Sequence, residues 1–586
     1  MLSKQINWSK VILSLFWGFL TSRFWREDIT LLLGISTKGH DRWFSLLLFG
    51  VYSLFFTILF FILISVVEKI FYQWRNEEKI ISRHFKVLIV WSLMLVLLVY
   101  PVKYLTNFLT FPYPIEFRET ASIHPAYALA NGINPYSLEN FPEYIYTYGI
   151  LYPLTLSPFI NMADHPLLVA RIYNVIFLGL FSGLSFWIFR KQGASKTTSS
   201  IGLLILVNSM CLIWAWNGAR PEAPALFFSF LGFYFMGKDD YSDRSILLSA
   251  VTCVLSLHFK QYLLFSALVI SVYLFLFVSK KKAYMFAGSV TILSLVSYLV
   301  LTKFFPLYYE YSFMFHFNVG ESNRSLSHLL LQSKEFFLYY WILLFFLLFH
   351  LYKVVSGLNL DQIKKIRFKP FDLTKPLVNF VQIDIYTFGV IISAAALTLW
   401  LGKHKGNVYT YYGELLLPFL LYLVIPKIDE WFKNDLYVNL GRFLILIFCV
   451  FPFRGNYNSN FNAWHESFLT LEKHYEKCVN VYDRIPLAAL YKIEHNISPV
   501  YNNGHVQYAP ALIPNNETIP GKISNIPVES LENRLFEWNN EIDHNIDNQK
   551  FDCIFSGNEV INNYKQDAVI KNASGWKIFV QVPDLP

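Results

Sequence analysis

Cysteine is scarce, and its spacing carries no chemistry. Of five cysteines in 586 residues, Cys211, Cys253 and Cys449 lie inside apolar runs, and Cys478 and Cys553 lie in a polar C-terminal stretch. There is no CxxC and no Cys/His ligand spacing, so zinc modules and dithiol redox motifs are excluded. Charge is also sparse. Charged residues make up 15% of the chain against 54% hydrophobic and 18% aromatic, which excludes an ordinary soluble protein and leaves the polytopic membrane class. The net charge of +8 sits in Lys/Arg clusters between hydrophobic runs. That is the pattern of topology signals, and it argues against nucleic acid as a partner. No internal repeat is present. Near the N-terminus, Lys4 and Lys10 precede an apolar stretch at 11–20, but Trp, Arg and Glu follow it instead of a small-residue cleavage site. The segment therefore reads as a retained, weak first membrane segment.

What is present is a series of apolar runs. They fall near 9–21, 44–67, 86–106, 167–189, 198–216, 222–237, 245–257, 261–279, 283–302, 336–355, 384–401, 408–425 and 438–453, which gives about eleven to thirteen spans. Basic clusters at 69–86, 190–196, 280–282, 353–375 and 427–433 mark cytoplasmic loops. They alternate with the 107–166 loop, the 303–335 loop, the 402–407 turn and the tail after 454, which share the opposite side. The expected fold is mainly α: a helical membrane bundle, preceded by N-terminal segments at 1–85, extending over 86–453, and followed by a small extracytoplasmic α/β module at 454–586. Within that module 528–538 reads as a helix, and 552–555 and 576–582 read as strands. Both tail cysteines lie in a compartment where disulfides persist, so Cys478 and Cys553 form a candidate bridge.

The 107–166 loop is too long and too patterned for a simple connection. Pro125 near a first helical turn and Gly132 at a helix end predict a short surface helix. Two carboxylates, Glu116 and Glu119, open the loop just past an apolar run, where a charge needs solvent or a partner. They are either solvated loop charges compensated by Arg118 or a general base taking a proton from an attacking hydroxyl or amine. Cations form a second group: Arg220, Lys260, and Lys403, His404 and Lys405. Each lies at the extracytoplasmic end of its span, against the positive-inside tendency. Snorkelling to headgroups accounts for any one of them; together they suit a phosphate on a lipid carrier. Glu414, inside the following apolar run, is either a paired structural carboxylate or a substrate contact. Tyr409, Tyr411 and Tyr412 read as an interfacial belt. His165, His316 and His404 show no ligand spacing, so no metal is placed and no cofactor is named, with a divalent metal left open.

With these residues in view, the chain resembles the membrane-embedded glycosyltransferases of the GT-C fold, in the branch related to family 39. That branch holds protein O-mannosyltransferases and lipid A aminoarabinose transferases. The resemblance rests on an acidic residue opening the first large loop and followed by Gly-x-x-Pro-Tyr (Gly132 to Tyr136), and on Tyr-Gly-x-Leu-Tyr-Pro (Tyr148 to Pro153). It rests also on Ala-Arg-Pro-Glu (Ala219 to Glu222), on Lys-Gln (Lys260, Gln261), and more weakly on Gly-Lys-x-x-Gly-Asn (Gly402 to Asn407) with Glu414 after it. The loop opening reads Glu-Phe-Arg-Glu, which offers both Glu116 and Glu119; spacing to Gly132 favours Glu119.

The resemblance implies inverting transfer of a sugar from a polyprenyl-phosphate donor to a lipid, polysaccharide or protein acceptor on the extracytoplasmic side of the plasma membrane. It adds Tyr148, Tyr152 and Gln261 to the substrate-side residues. The competing class is a transporter or lipid-linked-sugar flippase without chemistry, for which paired broken helices or repeats are expected and none is found.

Overall fold

The computed structural model describes most of residues 80–209 (not Glu116 or Ala163), 218–237 and 241–314. It also describes 384–397 and 412–431, short stretches near 340–350 and 441–445, the isolated Leu54, and the main elements of the tail between 469 and 581. The chain divides into two compact units at Val90/Trp91, and the second unit, 91–586, holds the first large loop, the later helices and the tail.

The described chain is mostly helical. In order it forms α1 (Ile80–Thr110), α2 (Phe117–Ala130), α3 (Leu151–Ile160), α4 (Pro166–Lys191), α5 (Lys196–Asn208), α6 (Glu222–Met236) and α7 (Asp243–Phe259). Then come α8 (Phe265–Tyr273), α9 (Lys280–Phe304), α10 (Ile385–Ala396) and α11 (Leu417–Trp431). Among the described residues, three helical segments are long and apolar enough to cross a membrane: Pro166–Lys191, Gln261–Val278 and Lys280–Phe304. The runs expected at 222–237 and 245–257 form helices of 15 and 17 residues, and the helix in the 198–216 run stops at Asn208.

Small residues bring α6 and α7 together. Ser256 Oγ donates to the Ala225 carbonyl, and a Cβ on Gly232 would lie 3.1 Å from Cys253 Sγ and 3.2 Å from Thr252 Oγ1. Such close backbone approach is the usual packing device where apolar burial alone gives helices little reason to associate. On α4, Ile172, Ile176, Leu180 and Trp187 are exposed, whereas Arg171, Asn174, Leu178, Phe181 and Ser185 are buried. The outward face of this helix is thus its apolar one.

A short helix forms in the first loop, but it starts earlier than expected, and its residues 119–126 are buried in the protein instead of lying on a surface. It runs from Phe117, so Pro125 lies inside it instead of near its first turn. Its end is as read: Gly132 has φ +76°, and Ile133 N–H reaches back to the Ala128 carbonyl at 2.9 Å, the wrap that a left-handed residue after a helix permits. His124 of α2 is buried against the Tyr144 ring, 4.4 Å between centroids.

The tail contains a four-stranded sheet of order β1-β2-β4-β3, built from β1 (Val481–Asp483), β2 (Cys553–Ser556), β3 (Tyr564–Ile570) and β4 (Trp576–Gln581). β1 pairs parallel with β2, and the other pairings are antiparallel. Between β1 and β2 the chain forms α12 (Ala489–Glu494) and α13 (Val528–Asp547). The expected strands at 552–555 and 576–582 appear within a residue, and the helix is longer than expected. β1 and β3 escape a reading of the sequence: β1 spans three residues, and the first half of β3, Tyr-Lys-Gln-Asp, lacks an apolar alternation. Cys478 and Cys553 are joined by a disulfide, Cα–Cα 5.9 Å, tying the segment before β1 to the start of β2.

α13 is used twice. Its later residues Trp538, Ile542 and Ile546 pack on Tyr482, Phe551 and Ile554 within the module. Its earlier residues Leu531 and Leu535 pack instead on Tyr136, Phe141 and Tyr311. Arg534 Nη2 donates to the Glu139 carbonyl at 3.0 Å, and Tyr113 Oη donates to Glu472 Oε2 at 2.7 Å. The tail therefore rests directly on the first large loop.

Candidate functional site

The site starts at the end of α1. Its last carbonyls have no partner within the helix, and Arg171, in the second turn of α4, supplies one. Nη1 of Arg171 donates to the Phe108 and Phe111 carbonyls, Nη2 to the Tyr113 carbonyl, and the guanidinium carbon lies 4.7 Å from the Phe108 ring centroid. The remaining N–H groups go to Glu119: Nε to Oε1 and Nη2 to Oε2, each 2.9 Å.

Glu119 also accepts the backbone N–H of Ile115 at 2.7 Å on Oε2 and that of Ala219 at 2.9 Å on Oε1. Both side chains are completely buried. Four donors on two carboxylate oxygens fill the acceptor sites of the group. Glu119 therefore anchors the loop: it ties the turn after α1, α4 and the segment before α6 at one point. In this arrangement Glu119 is engaged by four donors, unlike the solvent-facing proton acceptor expected from the sequence. Spacing to Gly132 selected it, but spacing cannot reveal a guanidinium 52 residues later. Glu116 lies outside the described residues.

The second centre is built at helix starts and breaks. Pro221 confines Arg220 to an extended backbone and starts α6 at Glu222. α7 stops at Phe259 because Lys260 is extended (φ −149°), and a short 3-10 turn, Gln261–Leu264, follows. These interruptions bring three charged side chains together. Glu222 Oε1 accepts from Arg220 Nη2 and from Lys260 Nζ, both at 2.8 Å. All three residues are buried. Lys260 Nζ also sits 3.3 Å from the centroid of the Tyr148 ring and 5.7 Å from that of Tyr262, cation–π distances that help hold a desolvated ammonium.

Gln261 clasps this arrangement from the side, with Nε2 donating to the Thr147 carbonyl at 3.2 Å and the Ser312 carbonyl at 3.0 Å. Glu414 arrives on a 3-10 turn, Tyr412–Leu415, just before α11. Its Oε1 accepts the Tyr262 hydroxyl, and the Tyr262 and Tyr412 rings meet edge-on at 5.2 Å. Tyr152 packs edge-on against Tyr173 at 5.6 Å, and its hydroxyl is buried without a hydrogen-bond partner among the described residues. Arg118, Tyr148, Tyr262 and Tyr412 are each half-buried and form the rim over the buried charges.

Seven of the sequence-nominated residues are thus brought to one place: Glu119, Tyr148, Tyr152, Arg220, Lys260, Gln261 and Glu414. Lys403, His404 and Lys405 lie outside the described residues. Arg220 and Lys260 meet on one carboxylate oxygen of Glu222, so two cations share one anion in a buried cluster in place of an open cationic pocket. The Ala-Arg-Pro-Glu motif contains Glu222 without indicating a role for it, and no motif points to Arg171. A lone arginine near the start of an otherwise apolar helix was the available signal.

Among the described residues no group of three or more His, Cys, Asp or Glu side chains is placed to hold a metal. Comparison with protein-family models, with curated proteins and with solved structures finds no match.

Proposed function

We propose that this chain is an integral membrane glycosyltransferase with a GT-C-type bundle of about eleven to thirteen spans. In this reading it moves a sugar from a polyprenyl-phosphate donor to a lipid, polysaccharide or protein acceptor, with inversion, outside the cytoplasm. The observation that carries the proposal is the convergence of buried Arg220, Lys260 and Glu414, drawn from three distant segments, beneath the half-buried Tyr148 and Tyr262 rings.

The helix directions support the side. α4 runs from Arg171, bound to Glu119, to Arg190 and Lys191 at its other end, a rise of about 28 Å at 1.5 Å per residue. The segment from Gln261 leads away from the site to the Lys280–Lys282 cluster, and α9 returns from that cluster to Leu307, whose N–H binds the Tyr136 carbonyl of the first loop. Basic residues gather at the end opposite the site, and by the positive-inside tendency that end is cytoplasmic. The module at 454–586, resting on the loop, is then extracytoplasmic.

In the proposed reaction Glu116 is the proton acceptor, because Glu119 is engaged as an anchor. Arg220 and Lys260 exchange Glu222 for the donor phosphate and stabilise the charge that grows on it as the sugar departs. The test is a membrane assay with labelled lipid-linked sugar. Glu116→Gln is expected to lower transfer by roughly 100-fold to 10,000-fold while donor binding persists, and Lys260→Ala is expected to weaken donor binding. Full activity in both variants overturns the proposal and returns the chain to the transporter or flippase class.

A further inference from the structure

Two buried residues of α4, Arg171 and Asn174, are three apart in sequence and so share a face of the helix. Arg171 holds Glu119, and Asn174 Nδ2 donates to the Gly218 carbonyl. Glu119 Oε1 in turn accepts the Ala219 N–H at 2.9 Å. The Gly218 carbonyl and the Ala219 N–H are the two ends of one planar peptide group. That plane is pinned at both ends, at its N–H by the scaffold centre and at its carbonyl by Asn174. It leads through Ala219 into Arg220, whose backbone Pro221 restricts from the other side.

The fit around this peptide is close. Gly218 has φ +154°, and a Cβ built on it would lie 3.2 Å from Cδ and 3.3 Å from Cγ of Arg220, and 3.3 Å from Cγ of Glu119. The Arg220 stem therefore lies against the bare Cα of Gly218, where the two centres meet. Asn174 Oδ1, by contrast, is buried and accepts no hydrogen bond among the described residues. An amide with one polar atom left unsatisfied is costly as a packing residue, so its contact with Gly218 is what accounts for it.

We propose that Asn174 is a positioning residue of this site: by fixing the 218–219 peptide it aims the Arg220 guanidinium, whose Nη2 meets Glu222 at 2.8 Å, without itself touching the ligand. This rests on the reading of Arg220 as a phosphate ligand. A binding group must be held within about 0.5 Å of its productive position, so loss of the Gly218 anchor is read out as lost affinity.

The experiment uses the full chain in detergent, farnesyl phosphate as the probe at a fixed pH, and calorimetry. The variants are Asn174→Leu, Arg220→Met and the two combined. Arg220→Met is expected to weaken binding about tenfold to a hundredfold, the range for a hydrogen bond to a charged group. Asn174→Leu is expected to weaken binding about tenfold in the wild-type background and less than about twofold beside Arg220→Met, because a residue that acts through Arg220 then has nothing left to act on. Asn174→Ser, whose hydroxyl can return to a carbonyl of its own helix, is expected to behave in the same way and keeps the test open if Asn174→Leu does not fold. Equal losses in both backgrounds mark a general structural role and overturn the proposal, as does wild-type affinity in both Asn174 variants; Arg220 as a phosphate ligand survives either result. Unchanged affinity in Arg220→Met, or no binding to wild type, overturns the phosphate reading and this inference with it.

Discussion

If Glu119 anchors the loop, removing its charge must unfold before it slows. Glu119→Gln keeps one acceptor oxygen and turns the other into an NH₂ group that faces two N–H donors. Both hydrogen bonds at that oxygen are lost, one of them from the guanidinium. At about 1.5 kcal/mol or more for each bond to a charged group, the direct loss is about 3 kcal/mol. Leaving the Arg171 charge buried and uncompensated brings the total into the range of about 3–5 kcal/mol. Arg171→Met is expected to cost at least as much, because the Phe108, Phe111 and Tyr113 carbonyls lose their donor as well. In the double variant the ion pair is lost once instead of twice, so the two effects should fall short of additivity by on the order of 3 kcal/mol. The assay is equilibrium unfolding in mixed dodecyl maltoside and SDS micelles, followed by tryptophan fluorescence and run beside the transfer assay. A Glu119→Gln protein as stable as wild type but with transfer lowered more than about 100-fold refutes the anchoring role and restores Glu119 as the proton acceptor.

His124, buried in α2, is held neutral down to about pH 3 by burial. Its folded pKa lies below the unfolded value, so its contribution is fully present above about pH 6.5 and is lost as the pH falls from there toward about 3, at about 1.4 kcal/mol per pH unit; unfolding midpoints of wild type and His124→Phe measured from neutral to acidic pH should diverge accordingly, and parallel curves count against the assignment. Gly149→Ala places a Cβ 1.8 Å from the backbone oxygen of His258. That atom belongs to α7 and cannot rotate away, so a loss of more than about 2 kcal/mol is expected, and a variant of wild-type stability contradicts the close packing of loop on helix.

How much of this was legible in the residues depends on whether the physics was local. Spans, basic ends and the polar tail are statements about composition over tens of residues, and helices α4 to α9 fall where the apolar runs lie. Gly132 ends α2 as read because a helix end needs a left-handed residue at one point in the chain. The start of α2 differs for a related reason: Pro125 marks a permitted first turn, yet nothing local forbids a helix from entering earlier when tertiary contacts hold it. The motif residues at 148, 152, 220, 260, 261 and 414 announced themselves as polar groups where polar groups are costly, and the structure brings them together. Their partners did not. Arg171 meets Glu119 across 52 residues, and Lys260 meets Glu222 across 38.

Those unseen partners change the chemistry assigned to each residue. A cation at a span end reads as available until its carboxylate is found, and a loop carboxylate reads as a base until its guanidinium is found. Glu222 and Arg171 are thus the residues that separate the two centres: one ion pair is closed by four donors and serves the scaffold, while the other shares a single oxygen between two cations beneath a half-buried tyrosine rim. In the proposed reading a ligand phosphate competes for Arg220 and Lys260 because Glu222 offers them one shared oxygen in place of a fork. It cannot compete for Arg171, whose five N–H groups are all engaged by Glu119 and by the carbonyls at the end of α1. In the proposed reading the substrate end of the site therefore lies on the Lys260 side, under Tyr148 and Tyr262, and the Arg171 side is the wall against which it is built.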